Sequence, residues 1–264
     1  MCLVLSLATF SGFSQELPPI QNFKPIDYQA GNQNWSIAQD GNELIYVANN
    51  EGLLSFNGSN WKLYPTPNET IIRSVKVVDD LIYTGCYMEF GYWQKDSKNQ
   101  LSYTSLTNKF NIEHLEDEEF WKIIHYGDSI LFQSLNRIYF YDLKRDTIGL
   151  LRDDRPIIKS FKVGNTIYYQ QRNSGLYQIN GEDDLLISNQ QFLLDDEIVN
   201  LFSDSDGLIV LTQNSGFHRQ RNNQLVPLKD ATDDYASISI YSAAQLKDGR
   251  FIIGSISNGL IVLN

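Results

Sequence analysis

Three histidines, five acidic clusters and a scatter of amide and aromatic residues at turn positions are the groups in this chain that could do chemistry. His114, His125 and His218 stand in unrelated contexts and form no metal-binding spacing such as H-x-x-x-H. His114 falls in the acidic connection from Glu113 to Glu119 and reads as solvated; His125 reads as a packed or edge imidazole; His218, beside Arg219 and Arg221, reads as exposed. Glu116-Asp117-Glu118-Glu119, Asp153-Asp154, Asp183-Asp184, Asp195-Asp196-Glu197 and Asp233-Asp234 offer the paired carboxylates that glycosidases use. Each cluster falls at a junction or hairpin tip, where turn geometry and water favour Asp, so solvated turns are expected. Asp204-Ser205-Asp206-Gly207 has hard oxygen ligands at alternate positions, as in half of a calcium loop, but it lacks a downstream bidentate Glu and aligns with a recurrent turn. No catalytic residue, metal or cofactor is expected.

A binding palette remains: Trp35, Asn49, Asn50, Arg73, Tyr87, Glu89, Trp121, Arg172, Asn173, Asn214 and Asn258. Amides that hydrogen-bond hydroxyls, beside flat aromatic faces, suit a sugar or polar metabolite. The plain alternative is that Asn makes turns and Trp packs. Which reading holds depends on whether the fold gathers these residues.

The elements that must position them repeat. Trp35 to Tyr64 holds four short apolar runs separated by Asp40-Gly41-Asn42, Asn49-Asn50-Glu51-Gly52 and Asn57-Gly58-Ser59-Asn60, which predicts a four-stranded antiparallel meander. Taking the residue that opens the third strand as a ruler, the unit recurs at Gly52, Gly91, Arg137, Gly175, Gly216 and Gly259, at spacings of 39, 46, 38, 41 and 43 residues. A period near 40 with four strands per period predicts an all-β propeller of about six blades. The blades run about 35–66, 71–106, 119–150, 157–188, 198–229 and 239–264, the last ending after its third strand, as expected of a fragment of a larger propeller. In such a fold the connections between strands two and three, with the segments entering strand one near Trp35, Arg73 and Trp121, share one face.

Residues 1–14 (MCLVLSLATFSGFS) resemble the apolar core and small-residue cleavage region of a secretory signal, without its basic start. Residues 15–34 read as a lead-in that packs on an edge or pairs with another blade. Cys2 would leave with the signal, and Cys86 reads as a small buried apolar residue. The net charge of -11 argues against direct contact with a phosphate backbone.

The segments 31–93 and 239–264, the latter carrying Asp248, Gly249, Gly254, Ser255, Gly259 and Leu260 in D-G-x-x-x-x-G-[ST]-x-x-x-G-L, resemble the "two-component regulator propeller" repeats of Bacteroidetes regulators. That family carries triple-tyrosine, transmembrane, kinase or LuxR-type helix-turn-helix parts, none of which lies in these 264 residues. The resemblance implies a periplasmic, non-catalytic sensor of a small molecule or oligosaccharide, passing its signal to downstream domains of a regulator for which a homodimer is one option. A protein-interaction scaffold and, behind it, a carbohydrate-active enzyme are the alternatives.

Overall fold

A computed structural model describes residues 21–98, 100–151, 156–180, 183–222, 224–228 and 238–263. The leader-like stretch 1–14 with Cys2, residues 15–20 of the lead-in, Asp153-Asp154 and Asp233-Asp234 lie outside the described residues.

The chain folds as six propeller blades, each an antiparallel meander in simple sequence order. Blade 1 is β1 (Asn34–Gln39), β2 (Ile45–Asn49), β3 (Gly52–Phe56) and β4 (Trp61–Tyr64). Blade 2 is β5 (Ile72–Val78), β6 (Leu81–Cys86), β7 (Phe90–Lys95) and β8 (Leu101–Ser105). Blade 3 is β9 (Lys122–Tyr126), β10 (Ser129–Gln133), β11 (Ile138–Asp142) and β12 (Thr147–Leu151). Blade 4 is β13 (Ile157–Val163), β14 (Thr166–Gln171), β15 (Gly175–Asn180) and β16 (Asp183–Ser188). Blade 5 is β17 (Ile198–Asp204), β18 (Gly207–Thr212), β19 (Gly216–Arg221) and β20 (Gln224–Pro227). Blade 6 has three strands, β21 (Ile240–Gln245), β22 (Phe251–Ser255) and β23 (Leu260–Leu263). Among the described residues there are three one-turn helices, α1 (Pro25–Tyr28) in the lead-in and α2 (Leu106–Lys109) and α3 (Gln191–Asp195) in connections between blades.

The period-two alternation of each strand sends apolar side chains to both faces, and each interface between blades holds one apolar layer. Tyr46, Ala48 and Leu53 of blade 1 meet Ile72, Ile82, Cys86 and Trp93 of blade 2; Cys86 is fully buried there, as its sequence context suggests. Phe90 and Tyr83 meet Phe132 and Tyr139 between blades 2 and 3. The first strands of successive blades pack on one another, β1 on β5, β5 on β9, β9 on β13, β13 on β17 and β17 on β21, so the first strands form the inner wall.

The lead-in packs on the first blade, with α1 against its edge strand β4. Phe23, Tyr28 and Ala30 lie on the open face of blade 1, against Val47, Leu54, Trp61 and Leu63. Blade 6 has no such cover among the described residues: Tyr241, Leu260 and Val262 are exposed on the face turned from blade 5.

Three expectations are corrected. In blade 2 the ruler position belongs to Glu89, because Gly85 pairs with Phe90 and Glu89 closes the hairpin to Cys86, as Gly52 closes that of blade 1; Gly91 lies two residues on. His114 is not solvated: its side chain is 4% exposed, bonded to Glu118 and Thr107 among Phe90, Phe120 and Tyr139. Nor is the 116–119 cluster a wholly solvated turn, since Glu118 is buried and accepts hydrogen bonds from the Ser134 hydroxyl and the Leu115 N–H. Burial opposes charge on Glu118, but the bonds from His114, Ser134 and Leu115 and the nearby Arg137 together hold its carboxyl below the usual range.

His218 is not exposed either. It is buried on β19 and stacks on Phe192 with ring centroids 4.2 Å apart. Burial lowers its pKa below the ordinary 6.5, against an opposing pull from the Gly216 carbonyl and Asp196. The unfolded chain therefore binds this proton more readily than the folded one, and the contribution of neutral His218 is present above about pH 6.5 and lost as pH falls through the folded value. His218→Phe is expected to flatten the fall in melting temperature between pH 7 and pH 5; a slope equal to that of the wild type would contradict this.

Candidate functional site

The hairpins between strands two and three and the segments entering strand one do share a face, and the backbone shows it. Asn50 N–H donates to the Gln33 carbonyl, Tyr87 to Ile71, Arg172 to Pro156, Gln213 to Glu197 and Ile256 to Ser239, one such tie in five of the blades. In blade 3, Trp121 N–H donates to Gln133 O instead.

On that face the first strand carries a repeated irregularity. Its pairing slips by one residue in blades 1, 2, 4, 5 and 6, leaving Trp35, Arg73, Ile158, Val199 and Tyr241 as the extra residues of β-bulges. In blade 3, Trp121 and Lys122 both oppose Gln133, so Trp121 takes the same place. A bulge adds an unpaired residue and re-aims its side chain. Val199 thereby packs into the layer between blades 5 and 6, whereas the bulge residues of blades 1 to 3 turn toward one another.

Three of these side chains meet. The Arg73 guanidinium lies over Trp35 with Cζ 4.3 Å from the ring centroid and over Trp121 at 4.7 Å, while the two indoles stand edge to face at 5.6 Å. Its Nε and Nη2 donate to Glu119 Oε1 at 3.2 and 2.7 Å. Trp35 Nε1 donates to Asn50 Oδ1 at 2.7 Å, which joins the blade 1 hairpin to the cluster. Tyr87 bridges to Glu119 through the backbone and donates its hydroxyl to Asp117. Arg73 Nη1 and Trp121 Nε1 are buried with no hydrogen-bond partner among the described residues. An unmet buried donor costs on the order of 1–3 kcal/mol. Two of them in one cluster could be relieved by an acceptor.

The structure thus gathers Trp35, Asn50, Arg73 and Trp121, with Tyr87 alongside. The other sequence candidates lie elsewhere. Asn49 is buried, donating to Gly31 O and Asn34 Oδ1 and accepting from Glu51 N–H, and so ties the lead-in to blade 1. Glu89 is buried inside blade 2, where it accepts from Ser105 and Tyr103; burial raises its pKa in spite of those bonds. Arg172, Asn173, Asn214 and Asn258 are exposed on the hairpins of blades 4 to 6. Asn214 donates from its backbone and amide to Asp196, and Asn173 holds a left-handed turn position.

Glu119 is the cluster residue that sequence reasoning missed. It stands two residues before the bulged Trp121. That register is the signal that could have found it.

The half calcium loop is otherwise engaged: Arg219 donates both nitrogens to Asp204, which with the Asp206 and Gly207 N–H groups pulls its carboxyl down to about 2. Among the described residues no group of three or more His, Cys, Asp or Glu is placed to hold a metal ion, and no helix is long and apolar enough to cross a membrane. A groove of about 390 Å³ lies away from the cluster, between the outer strands of blades 1 and 2, lined by Tyr46, Trp61, Lys62, Tyr64 and Lys95. Tyr46 and Lys95 there already donate to Asp40. The inner cluster combines convergence of three blades with two unmet donors, and we place the site there.

These features define a six-bladed propeller arc with an aromatic-cation cluster at its inner strands. No family model matches the sequence, and neither does any curated protein. Among solved structures, the chain is similar to the extracellular domain of the hybrid two-component system BT3049 of B. thetaiotaomicron, with 15% identity, a TM-score of 0.68, and coverage of 92% of this chain and 35% of that one. It is also similar to the extracellular domain of the hybrid two-component system BT4673 from the same organism, at 18% identity and TM-score 0.65 over 88% of this chain and 31% of that one. A third likeness, at 10% identity and TM-score 0.62 over 93% and 83% of the two chains, is to YCF48 bound to D1 peptide. The chain spans about a third of the length of the two extracellular domains. At these identities the likeness shows the propeller fold.

Proposed function

We propose that this chain is a non-catalytic sensing segment of a longer regulator, exported to the periplasm, that binds a small molecule or glycan at its inner face. The observation that carries the reading is the Arg73 guanidinium held between Trp35 and Trp121 with donors unmet on both Arg73 and Trp121. Indole faces suit the apolar faces of sugar rings, and fixed N–H donors suit their oxygens. The likeness to two extracellular domains of two-component systems supports both the location and the role. In this reading the uncovered face of blade 6, with Tyr241, Leu260 and Val262, receives the next element of the parent protein. Output by kinase or helix-turn-helix, and dimerisation, belong to that parent.

A scaffold reading has one observation in its favour, the likeness to a propeller that carries a bound peptide. An enzyme would need two free carboxylates converging on the inner face. Of the nearest acids, Glu119 is held by Arg73, and Glu89 by Ser105 and Tyr103.

A thermal-shift screen of the chain against oligosaccharides and small polar metabolites tests the proposal. Dose-dependent stabilisation by one compound class is expected, because a ligand bound only by the folded state raises the melting temperature. Trp121→Ala should remove the shift. A cooperative melt that no compound moves would favour the scaffold.

A further inference from the structure

The inner wall differs in charge from the rest of the molecule. The six first strands carry five basic residues, Arg73, Lys76, Lys122, Lys159 and Lys162, and one acid, Asp204, whereas the whole chain has 21 basic and 32 acidic residues. All five lie on β5, β9 and β13, which contain no Asp or Glu.

None of the four lysines is neutralised: no ion pair among the described residues holds Lys76, Lys122, Lys159 or Lys162. Lys159 spends one of its three donors on the Val199 carbonyl at 2.9 Å. Lys122 is exposed on the inner strand β9, and desolvation by the surrounding protein together with the like charge of Lys76 lowers its pKa. Lys159 is brought down to about 8 by burial and by Lys122, with Glu197 the acid that partly offsets them. Lys122 and Lys159 stand on adjacent first strands, and like-charged ammonium groups so placed are stabilised by an anion among them, through charge-assisted hydrogen bonds stronger than neutral ones.

Resting on the sensing reading above, we propose that the ligand is acidic, and that its carboxylate or sulfate docks against Lys122 and Lys159, on the inner strands next to the Arg73 cluster. The indoles then take the apolar face of the same molecule. A neutral sugar meets the aromatic part of the site but leaves the lysines uncompensated.

Isothermal titration of the chain with galactose, galacturonate and galactose 6-sulfate, at about 20 and about 300 mM salt, separates the terms. At low salt the acidic sugars are expected to bind at least tenfold more tightly than galactose. Added salt should erode that preference, and the double variant Lys122→Gln, Lys159→Gln should abolish it while melting as the wild type does. Preference for galacturonate over galactose 6-sulfate, or the reverse, names the anion. Equal binding of galactose, or a preference that survives in the double variant, overturns the proposal and leaves the sensing reading standing. If none of the three sugars binds, the anion site is overturned, and the sensing reading then stands or falls on the thermal-shift screen.

Discussion

Arg73→Ala is expected to weaken the binding of any compound that stabilises the chain by about 100-fold or more, with the blades still folded. A hydrogen bond to a charged group is worth about 1.5–3 kcal/mol, which is roughly 10- to 150-fold in affinity. Arg73 also holds the orientation of Trp35 and Trp121, since its guanidinium lies over both rings, so its removal leaves only their edge-to-face contact to fix the surface they offer. The fold tolerates the change because the partner left behind, Glu119, has a side chain that is 21% exposed and is rehydrated. Arg73→Lys is the informative companion. It keeps the charge but not the planar fork that stacks on indole and reaches Glu119 with two nitrogens, so it should recover only part of the loss. Titration calorimetry on the two variants checks both statements, and an affinity in Arg73→Ala within threefold of the wild type would remove the site from the inner cluster.

Gly175→Ala is the substitution expected to cost the fold most for its size. Gly175 opens β15 at φ +128, a region open essentially to glycine alone, and a Cβ there would stand 2.2 Å from the Ser188 carbonyl oxygen on the neighbouring strand. The conformational part alone is on the order of 1–3 kcal/mol. The clash is with backbone, which cannot swing aside, so we expect a loss of about 3 kcal/mol or more, or separation of β16 from blade 4. Gly149→Ala is the control, because it has neither a positive φ nor any atom within 4 Å of the added methyl group. Urea midpoints should fall sharply for the first and stay within error for the second. A Gly175→Ala midpoint matching that of Gly149→Ala would show that the β15 opening is not held in this conformation.

The same hairpin explains why the blades could be read from sequence. Four short apolar runs broken by Asn, Asp and Gly are a local code, and it holds in five blades and in the three strands of the sixth. The ruler slipped in blade 2 for a physical reason. Gly91 is a glycine because a Cβ would meet the Thr104 carbonyl at 2.2 Å on the adjacent strand, not because it opens the hairpin, and Glu89 stands at the ruler position instead. His114 and His218 looked solvated because their sequence neighbours are polar. What buries them comes from elsewhere in the chain: Phe90 and Tyr139 for the first, Phe192 for the second. At the site, Trp35, Arg73 and Trp121 were legible as residues entering strand one. Their convergence was not, since the extra residue of a bulge is visible only in the pairing register, and the Arg73 to Glu119 contact spans 46 residues. Asn49 and Glu89 share the polarity of ligand-binding residues but spend it on Gly31, Asn34, Ser105 and Tyr103, internal partners that sequence does not display.

Amide hydrogen exchange with and without a stabilising compound from the screen tests the central claim most directly. If the inner cluster is the binding site, protection should concentrate in three separate peptides, around residues 33–36, 71–74 and 119–122, with the outer strands of the same blades unchanged. Protection confined to the groove between β4 and β8, or to the exposed hairpins of blades 4 to 6, would contradict it.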